Sequence, residues 1–195
     1  MTSANFIKYW NTIYPDSYPI DYELKTYFKD RWFRIHYLPD SKRYAENKAE
    51  YECILNRQNT LITDLFHTDD FIITLGLFKS DLSAQVNDDY SYFNLNDFIK
   101  VDTLALHQIR PLEYSDYTMY YEVCIKNEIW KSGNFNELLI KIADGETRAM
   151  FINTIRNIIV VPYDGGMDII LPDTKTRDLY KTKYKDWLSN HPDGL

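Results

Sequence analysis

RAMFINTIRNIIVVPYDGGMDIIL, residues 148–171, is the stretch of sequence that decides the fold. It contains two runs of branched and apolar residues of strand length, 148–154 and 157–163. Asp164-Gly165-Gly166 then supplies turn residues before a third run, MDIIL at 167–171. Strands joined by such short connections are antiparallel neighbours, so the stretch predicts a β-meander. We also expect positive φ angles at the glycines of the turn after residue 163.

A long helix and an apolar strand lie upstream of this meander. Between residues 45 and 66 the apolar side chains recur at steps of three and four, which predicts an amphipathic helix of about 20 residues. FIITLGLF, residues 71–78, is a continuous apolar run of strand length and predicts an interior strand.

Shorter segments complete the order of elements. Phe6, Ile7, Trp10 and Ile13 share one helical face, and Pro15 follows them, so a short N-terminal helix is expected. The remaining expectations are a strand at 31–38, a polar excursion at 80–97, strands at 99–109 and 117–125, a helix capped by Asn134 and ended by Gly145, and a final helix from Asp173 or Thr174 with Leu179, Tyr180, Tyr184, Trp187 and Leu188 on one stripe.

This order predicts an α+β fold in a single domain, residues 1–195. Runs of neighbouring strands flanked by helices favour a mostly antiparallel sheet packed by the long central helix, with short N-terminal and C-terminal helices. We expect the sheet to be covered on one side. A doubly wound parallel sheet is the less favoured alternative.

The chain is acidic, and its charge excludes several classes of partner. The 195 residues include 22 Lys and Arg against 29 Asp and Glu, which gives a formal net charge of -7. Sequence-independent nucleic-acid binding depends on Lys and Arg, so no nucleic-acid partner is expected and a basic protein is favoured. No apolar run is long enough to span a bilayer, and no signal segment is recognisable, so we expect a cytoplasmic protein without a membrane partner.

Motifs for cofactors, metals and nucleophilic catalysis are absent from the sequence. The chain has no GxGxxG, P-loop, HExxH or GxSxG pattern, and its four histidines are dispersed. We therefore expect no cofactor and no metal site. His67, Asp69 and Asp70 lie together, and this pattern suits a helix end followed by a turn better than a proton-transfer site.

Negative charge is concentrated between residues 69 and 102, where seven Asp and two Lys give a net charge of -5. Aromatic residues are interleaved with these carboxylates, and aromatic anchors beside charges that speed encounter are typical of protein-binding surfaces. The candidate partner-binding residues are Asp88, Asp89, Tyr90, Tyr92 and Phe93. A solvated surface loop is the alternative interpretation of this segment.

The hairpin YDGGMD is the second candidate site. Tyr163, Asp164 and Asp168 lie about one turn, and two carboxylates in that arrangement could bind a cation or a partner's Arg or Lys. A purely structural hairpin turn is the alternative.

Three segments carry a family resemblance: RWFRIHYL (31–38), RQNTLITDLFHTDDFIITLGL (57–77) and VVPYDGGMDIILPDTKTRDLYKTKYKDWLSN (160–190). The chain resembles the bacterial family called domain of unknown function 3885. That family typically has a Tyr-Asp-Asp-Arg-Gly-x-Asp hairpin before a final helix with Tyr and Trp. The matching residues are Tyr163, Asp164, Gly166, Asp168, Tyr184 and Trp187, whereas the second Asp and the Arg are missing. The family has no assigned activity, so the resemblance implies an α+β fold and a bacterial origin and does not indicate a mechanism.

The sequence leaves three hypotheses for function. The first is an immunity or inhibitor-type protein that occludes a basic partner, such as a toxin, through the acidic, aromatic segment. The second is a hydrolase or transferase that uses the acidic hairpin with His67 or His36. The third is a scaffold or regulator that self-associates through a sheet edge or the Tyr/Trp helix face.

Overall fold

The computed structural model describes residues 1–83 and 90–189. Within that part of the chain, seven strands form one sheet, and every neighbouring pair is antiparallel. The order across the sheet is β1-β7-β6-β5-β2-β4-β3. The strands are β1 Trp32–His36, β2 Asp70–Lys79, β3 Ile99–Ala105, β4 Tyr120–Ile129, β5 Met150–Asn153, β6 Ile158–Tyr163 and β7 Gly166–Ile170. The predicted α+β fold with a meander over β5, β6 and β7 is confirmed.

The four predicted helices are present in the predicted order, and two short helices, at Leu24–Tyr27 and Leu106–Ile109, were not predicted. Their bounds are α1 Ser3–Ile13, α2 Leu24–Tyr27, α3 Lys48–Phe66, α4 Leu106–Ile109, α5 Asn136–Ala143 and α6 Thr174–Lys183. The central helix α3 has 19 residues, and its N-terminal amide at Glu50 donates to the side chain of Asn47. The side chain of Asp173 accepts from the Thr176 amide and so caps α6, as predicted. None of the helices in the described ranges is long and apolar enough to cross a membrane.

Both faces of the sheet are covered, so the expectation of a sheet covered on one side is wrong. Helices α3 and α5 pack on one face, where Phe71, Phe151 and Trp130 belong to the core. Helices α1 and α2 pack on the other face through Trp10 and Leu24. The physical reason lies in the central strands, because every residue of β5 is buried and both faces of β6 are apolar.

The structure differs from the sequence-based expectations in three details of the helices. Residues 106–109 form the short helix α4 rather than the end of a strand. Phe135, not Asn134, precedes the first residue of α5, and no side chain caps that end. Leu179 is 62% exposed and therefore lies off the packed stripe of α6. A short helix of ten residues tolerates one apolar side chain on its solvent face.

The hairpin between β6 and β7 uses its glycines differently from the prediction. Tyr163 pairs with Gly166, which leaves Asp164 and Gly165 as the connecting residues. Neither Gly165 nor Gly166 has a positive φ. A Cβ on Gly166 would lie 2.0 Å from the carbonyl oxygen of Ile35 on β1. Glycine is therefore needed here so that the hairpin can approach β1 closely.

Candidate functional site

The structure describes three of the five residues of the predicted acidic, aromatic surface, and it places Tyr90 apart from the exposed Tyr92. Asp88 and Asp89 lie outside the described residues. Tyr90 is in the core with 6% of its surface exposed, and its hydroxyl donates to the Gly76 carbonyl at 2.5 Å. The Tyr90 ring therefore faces the interior and is not part of the exposed surface.

Tyr92 and Phe93 lie at the surface directly after this buried tyrosine. The Tyr92 ring is 37% exposed and meets Phe93 edge to face, with ring centroids 5.3 Å apart. Phe93 in turn meets Phe98 edge to face at 5.6 Å and packs against the core under α3. The ring of Tyr92 is thus an exposed aromatic group that rests on the partly buried ring of Phe93.

Several carboxylates of the acidic segment already have cationic partners. Asp69 accepts from Arg156 at 2.6 Å, and this hydrogen bond lowers the pKa of Asp69. Asp97 lies 3.7 Å from the Lys126 ammonium, where both side chains remain partly exposed. Asp69 also accepts from Asn153, so it connects the start of β2 to the β5–β6 turn. This contact gives Asp69 a structural role, as the sequence favoured for the cluster of His67, Asp69 and Asp70.

The second candidate site is assembled into a cavity of about 370 Å³, here called the hairpin pocket. Five parts of the chain form its wall, including Arg34 on β1 and Arg43 before α3. The Tyr163–Asp168 hairpin meets the turn Asp21–Glu23 with α2, and the loop between α5 and β5 closes the remaining side. The lining residues used below are Asp21, Tyr22, Lys25, Arg34, Arg43, Thr147, Arg148, Tyr163, Asp164 and Asp168.

Arg34 and Asp168 face each other because β1 and β7 pair in that register. The Arg34 guanidinium donates to both carboxylate oxygens of Asp168, with distances of 2.7 Å from Nε and 2.9 Å from Nη2. The same guanidinium lies 4.8 Å from the ring centroid of Tyr163. A bidentate pair stacked on an aromatic ring is held in one orientation, so this wall of the pocket is preorganised.

Asp164 is paired as well, although from a different segment. Arg43, which precedes α3, donates to Asp164 at 2.7 Å, and the Tyr44 hydroxyl donates to the same oxygen at 2.7 Å. Burial alone would raise the pKa of Asp164, but the Arg43 guanidinium and the Tyr44 hydroxyl lower it overall. A carboxylate stabilised in this way is a weak proton acceptor.

The loop before β5 contributes the donors on the opposite side of the pocket. Arg148 lies 3.3 Å from Asp21 and retains half of its side-chain exposure. Thr147 is 2% exposed, yet its hydroxyl has no hydrogen-bond partner. Buried polar groups in folded proteins almost always have a partner, and Thr147 is a lining residue whose buried hydroxyl has none among the described residues.

A small inner cavity of about 10 Å³ continues from this side of the hairpin pocket. Asp21 and Arg148 line both cavities, and Thr74 lines the inner one. The Thr74 hydroxyl is also buried without a partner. The inner cavity is large enough for about one water molecule.

The pocket contains more cationic than anionic groups. Lys25, Arg34, Arg43 and Arg148 oppose Asp21, Asp164 and Asp168, and each of these Asp residues is paired with an Arg. Within the described ranges Lys25 has no ion pair. The described lining therefore carries one more cationic than anionic side chain, whereas the sequence had drawn attention only to its carboxylates.

Neither of the two histidines named in the enzyme hypothesis lines the hairpin pocket, although His36 pairs with Gly166 of the hairpin. His67 ends α3 and lines an open groove of about 770 Å³ between α3 and α6, together with Asp64, Lys183 and Trp187. His36 is on β1, where its Nε2 is buried without a partner. The described residues also contain no group of three or more His, Cys, Asp or Glu side chains that could hold a metal ion.

The comparison with protein families gives a match over most of the chain. The family model described as Domain of unknown function (DUF3885) matches residues 20–192. The chain belongs to the DUF3885 family. No curated protein matches it, and no solved structure matches it.

The DUF3885 match includes every lining residue of the hairpin pocket named above. Two of the segments that suggested the family, RWFRIHYL and the one that contains the hairpin, meet there through Arg34 and Asp168. The hairpin lacks the Asp-Arg pair of the family pattern, and Arg43 reaches Asp164 from the segment before α3 instead.

Sequence reasoning identified the acidic half of this site and missed its basic half. Tyr163, Asp164 and Asp168 were visible because they share one hairpin. Arg34, Arg43 and Arg148 come from segments separated by up to about a hundred residues, and each looks like an ordinary surface arginine in the sequence. One signal was present, since Arg34 stands between apolar residues in the middle of a predicted strand.

Proposed function

We propose that this DUF3885 protein is a non-enzymatic binding protein whose hairpin pocket takes an anionic group of its ligand. One observation carries the proposal. In a chain with net charge -7, the pocket brings together three arginines that are paired with carboxylates, a fourth cationic side chain, Lys25, that has no ion pair, and Thr147, whose hydroxyl has no hydrogen-bond partner among the described residues. A site that recognises an oxyanion typically has hydrogen-bond donors without a partner and more cationic side chains than carboxylates.

Binding accounts for the pocket better than acid-base catalysis does. A general base needs a pKa near the working pH, whereas Arg43 lowers the pKa of Asp164. Asp168 uses both oxygens to accept from Arg34. Neither His36 nor His67 lines the described pocket.

Melting temperatures measured in matched sodium salts test this proposal. Phosphate, sulfate and acetate are compared with chloride at equal ionic strength. A ligand at a hundred times its Kd stabilises the folded state by about 2.7 kcal/mol, so specific binding raises the melting temperature measurably. We expect Lys25→Gln and Thr147→Val to reduce the increase that the oxyanions give over chloride.

Arg156→Gln is the matched control, because Arg156 pairs with Asp69 away from the pocket. Sulfate and phosphate also stabilise proteins in general through exclusion from the surface, and that effect would appear equally in all variants. Equal increases in wild type, Lys25→Gln, Thr147→Val and Arg156→Gln would contradict the proposal.

A second candidate is the immunity or inhibitor-type function towards a basic protein partner such as a toxin. The observation in its favour is the exposed Tyr92 ring, which rests on Phe93 and so needs little ordering on binding, because Phe93 itself packs against Phe98. The net charge of -5 over residues 69–102 would speed encounter with a basic surface.

This second candidate is tested by first identifying a basic partner retained from host lysate at low and moderate salt. Charge reversal at Asp88 and Asp89 is then expected to slow association at low salt, and Tyr92→Ala to speed dissociation. Tyr18→Ala is the control, since Tyr18 is equally exposed at 36% in another part of the surface. Unchanged kinetics in the Asp88, Asp89 and Tyr92 variants would reject this surface.

Self-association through a sheet edge stays a prediction. At the β3 edge, pairing is irregular between Lys100 and Asp102, and the Ser3 hydroxyl donates to the carbonyl of Val101. Bulges, charges and covering residues on an edge strand disfavour pairing with another chain. Sedimentation at high protein concentration checks this, and a dimer that dissociates on β3 substitution would support self-association.

A further inference from the structure

The hairpin pocket has an apolar wall in addition to its charged groups. Tyr22, Val161, Pro162 and the Tyr163 ring all line it. Tyr22 is 36% exposed, and the Val161 and Pro162 side chains are buried beside it in the wall. A site for an inorganic ion alone would not need this apolar surface.

The volume of the pocket also suits a ligand that is larger than an inorganic ion. Its 370 Å³ lies in the range of about 300 to 1,000 Å³ that is usual for small-molecule sites. A water molecule occupies about 30 Å³ in the liquid, and a tetrahedral oxyanion is only a few times larger. Most of the pocket would therefore remain for the rest of the ligand.

The Tyr22 ring is held in place by other aromatic residues. It stacks on Phe78 with ring centroids 6.2 Å apart and planes 19° apart. Its hydroxyl lies 3.4 Å from that of Tyr114, which fixes the other end of the ring. Burial raises the pKa of Tyr22, so the phenol stays neutral and adds no negative charge to the pocket.

Tyr22 and Lys25 are three residues apart in consecutive helical turns, from the turn Asp21–Glu23 into α2. Residues at that spacing are neighbours on one helical face, and both line the pocket. A ring that stacks against Tyr22 could therefore carry an anionic group that reaches the Lys25 ammonium. The Thr147 hydroxyl and the Arg148 guanidinium supply further donors in the same pocket.

We infer that the ligand of the hairpin pocket is a small organic oxyanion, a carboxylate or phosphate group attached to a flat apolar body that stacks against Tyr22. This inference rests on the proposed function and makes it more specific. It predicts that the ring adds affinity beyond that of the charge alone.

Matched pairs of probes separate the ring from the charge. Dissociation constants are measured by isothermal titration calorimetry for acetate against benzoate, and for inorganic phosphate against phenyl phosphate. We expect each ring-bearing anion to bind at least tenfold more tightly than its small counterpart. The stronger pair indicates whether the anionic group is a carboxylate or a phosphate.

Substitutions at position 22 test the role of the ring. Tyr22→Ala is expected to remove the tenfold advantage while weak binding of acetate or phosphate persists. Tyr22→Phe keeps the ring and is expected to keep most of the advantage, and Tyr18→Ala should behave as wild type. Circular dichroism confirms that each variant is folded, and Tyr22→Leu, which keeps apolar bulk without a ring, replaces Tyr22→Ala if that variant does not fold.

The outcomes distinguish this inference from the proposed function. Equal affinities within each pair, or an advantage that survives Tyr22→Ala, would overturn the inference and leave anion binding intact. Absence of binding by all four probes would overturn both.

Discussion

Gly165 and Gly166 are adjacent in sequence but have different roles in the hairpin. A Cβ on Gly166 would lie 2.0 Å from the Ile35 carbonyl oxygen, a backbone atom that cannot move without separating β1 from β7. A Cβ on Gly165 would meet its nearest neighbour, the Tyr163 ring, at 3.4 Å, which is ordinary contact. Of these two hairpin glycines, only Gly166 is required by close packing.

We therefore predict that Gly166→Ala lowers the free energy of unfolding by about 3 kcal/mol or more, at the upper end of overpacking effects. Gly165→Ala should change it by less than about 1 kcal/mol, because its backbone conformation suits alanine. Urea denaturation of both variants provides the measurement. Equal stability of the two would contradict the close approach of the hairpin to β1.

The residue scale also shows what the sequence could not reveal. The pair of glycines indicated a tight turn correctly, because glycine is typical of turns. The contact that requires Gly166 is made with Ile35, more than a hundred residues away. A local sequence pattern cannot show such a contact. The hairpin was predicted correctly, but the positive φ angles expected at its glycines are not present.

At the scale of elements, Asp64 on α3 anchors the C-terminal helix. Its carboxylate accepts from Lys183 Nζ at 2.6 Å and from the Tyr184 hydroxyl at 2.9 Å, and its carbonyl accepts from Tyr180. Most side chains of α6 are at least partly exposed, so this anchor and the Tyr184–Trp187 contact hold the helix in place.

Asp64→Ala is expected to lower the free energy of unfolding by about 1 to 3 kcal/mol, since it leaves the mostly buried Tyr184 hydroxyl without its acceptor. Hydrogen exchange should accelerate in residues 174–187 and remain unchanged in the central strands. Asp178→Ala, an exposed change on α6 itself, is the control and should have an effect within about 0.5 kcal/mol. Uniformly faster exchange throughout the sheet would show that Asp64 does not act on α6 specifically.

The elements themselves were largely predictable. Amphipathic periodicity located α1 and α3, and apolar runs located β2 and the meander, because burial of one face requires these patterns. Coverage of both sheet faces was not predicted, although the unbroken apolar runs of β2 and β6 indicate strands buried on both sides. The helix α4 was missed because four residues are too few for a periodic signal.

At the scale of the whole molecule, the candidate site depends on contacts between distant segments. The carboxylates of the hairpin suggested a site for a cation or for a partner's Arg or Lys. In the structure Arg34 pairs with Asp168, Arg43 pairs with Asp164, and Arg148 pairs with the nearby Asp21. The sequence gives the net charge of each segment, whereas the electrostatic potential in a pocket depends on which segments lie next to each other in the fold. The basic half of the site could therefore not be derived from the sequence alone.

The stability of the whole molecule depends on pH through groups whose pKa changes on folding. The pKa of His36 is lowered by burial and by the nearby Arg34 and Arg57, so the unfolded chain binds this proton more readily. Stability from His36 is therefore complete above its unfolded pKa of about 6.5 and decreases as the pH falls below that value. Asp69 and Glu122 have lowered pKa values, the second because Lys100 and Lys79 outweigh its burial, and their contributions are lost below about pH 4.5.

We expect two stages of destabilisation on acidification, one starting near pH 6.5 and one starting near pH 4.5. Urea denaturation from pH 8 to pH 3.5 measures both. His36→Gln should flatten the first stage and leave the second. A wild-type stability that is constant down to pH 5 would mean that His36 is not held in its uncharged form.

The sign of the charge that the hairpin pocket accepts is the central claim, and one calorimetric comparison tests it most directly. Benzoate and benzylammonium carry similar rings with opposite charges, and each is titrated into the full chain at equal ionic strength. Our account predicts that benzoate binds, that Lys25→Gln weakens this binding, and that benzylammonium does not bind. Binding of benzylammonium that is lost in Asp164→Asn would contradict it and would make the hairpin a cation site.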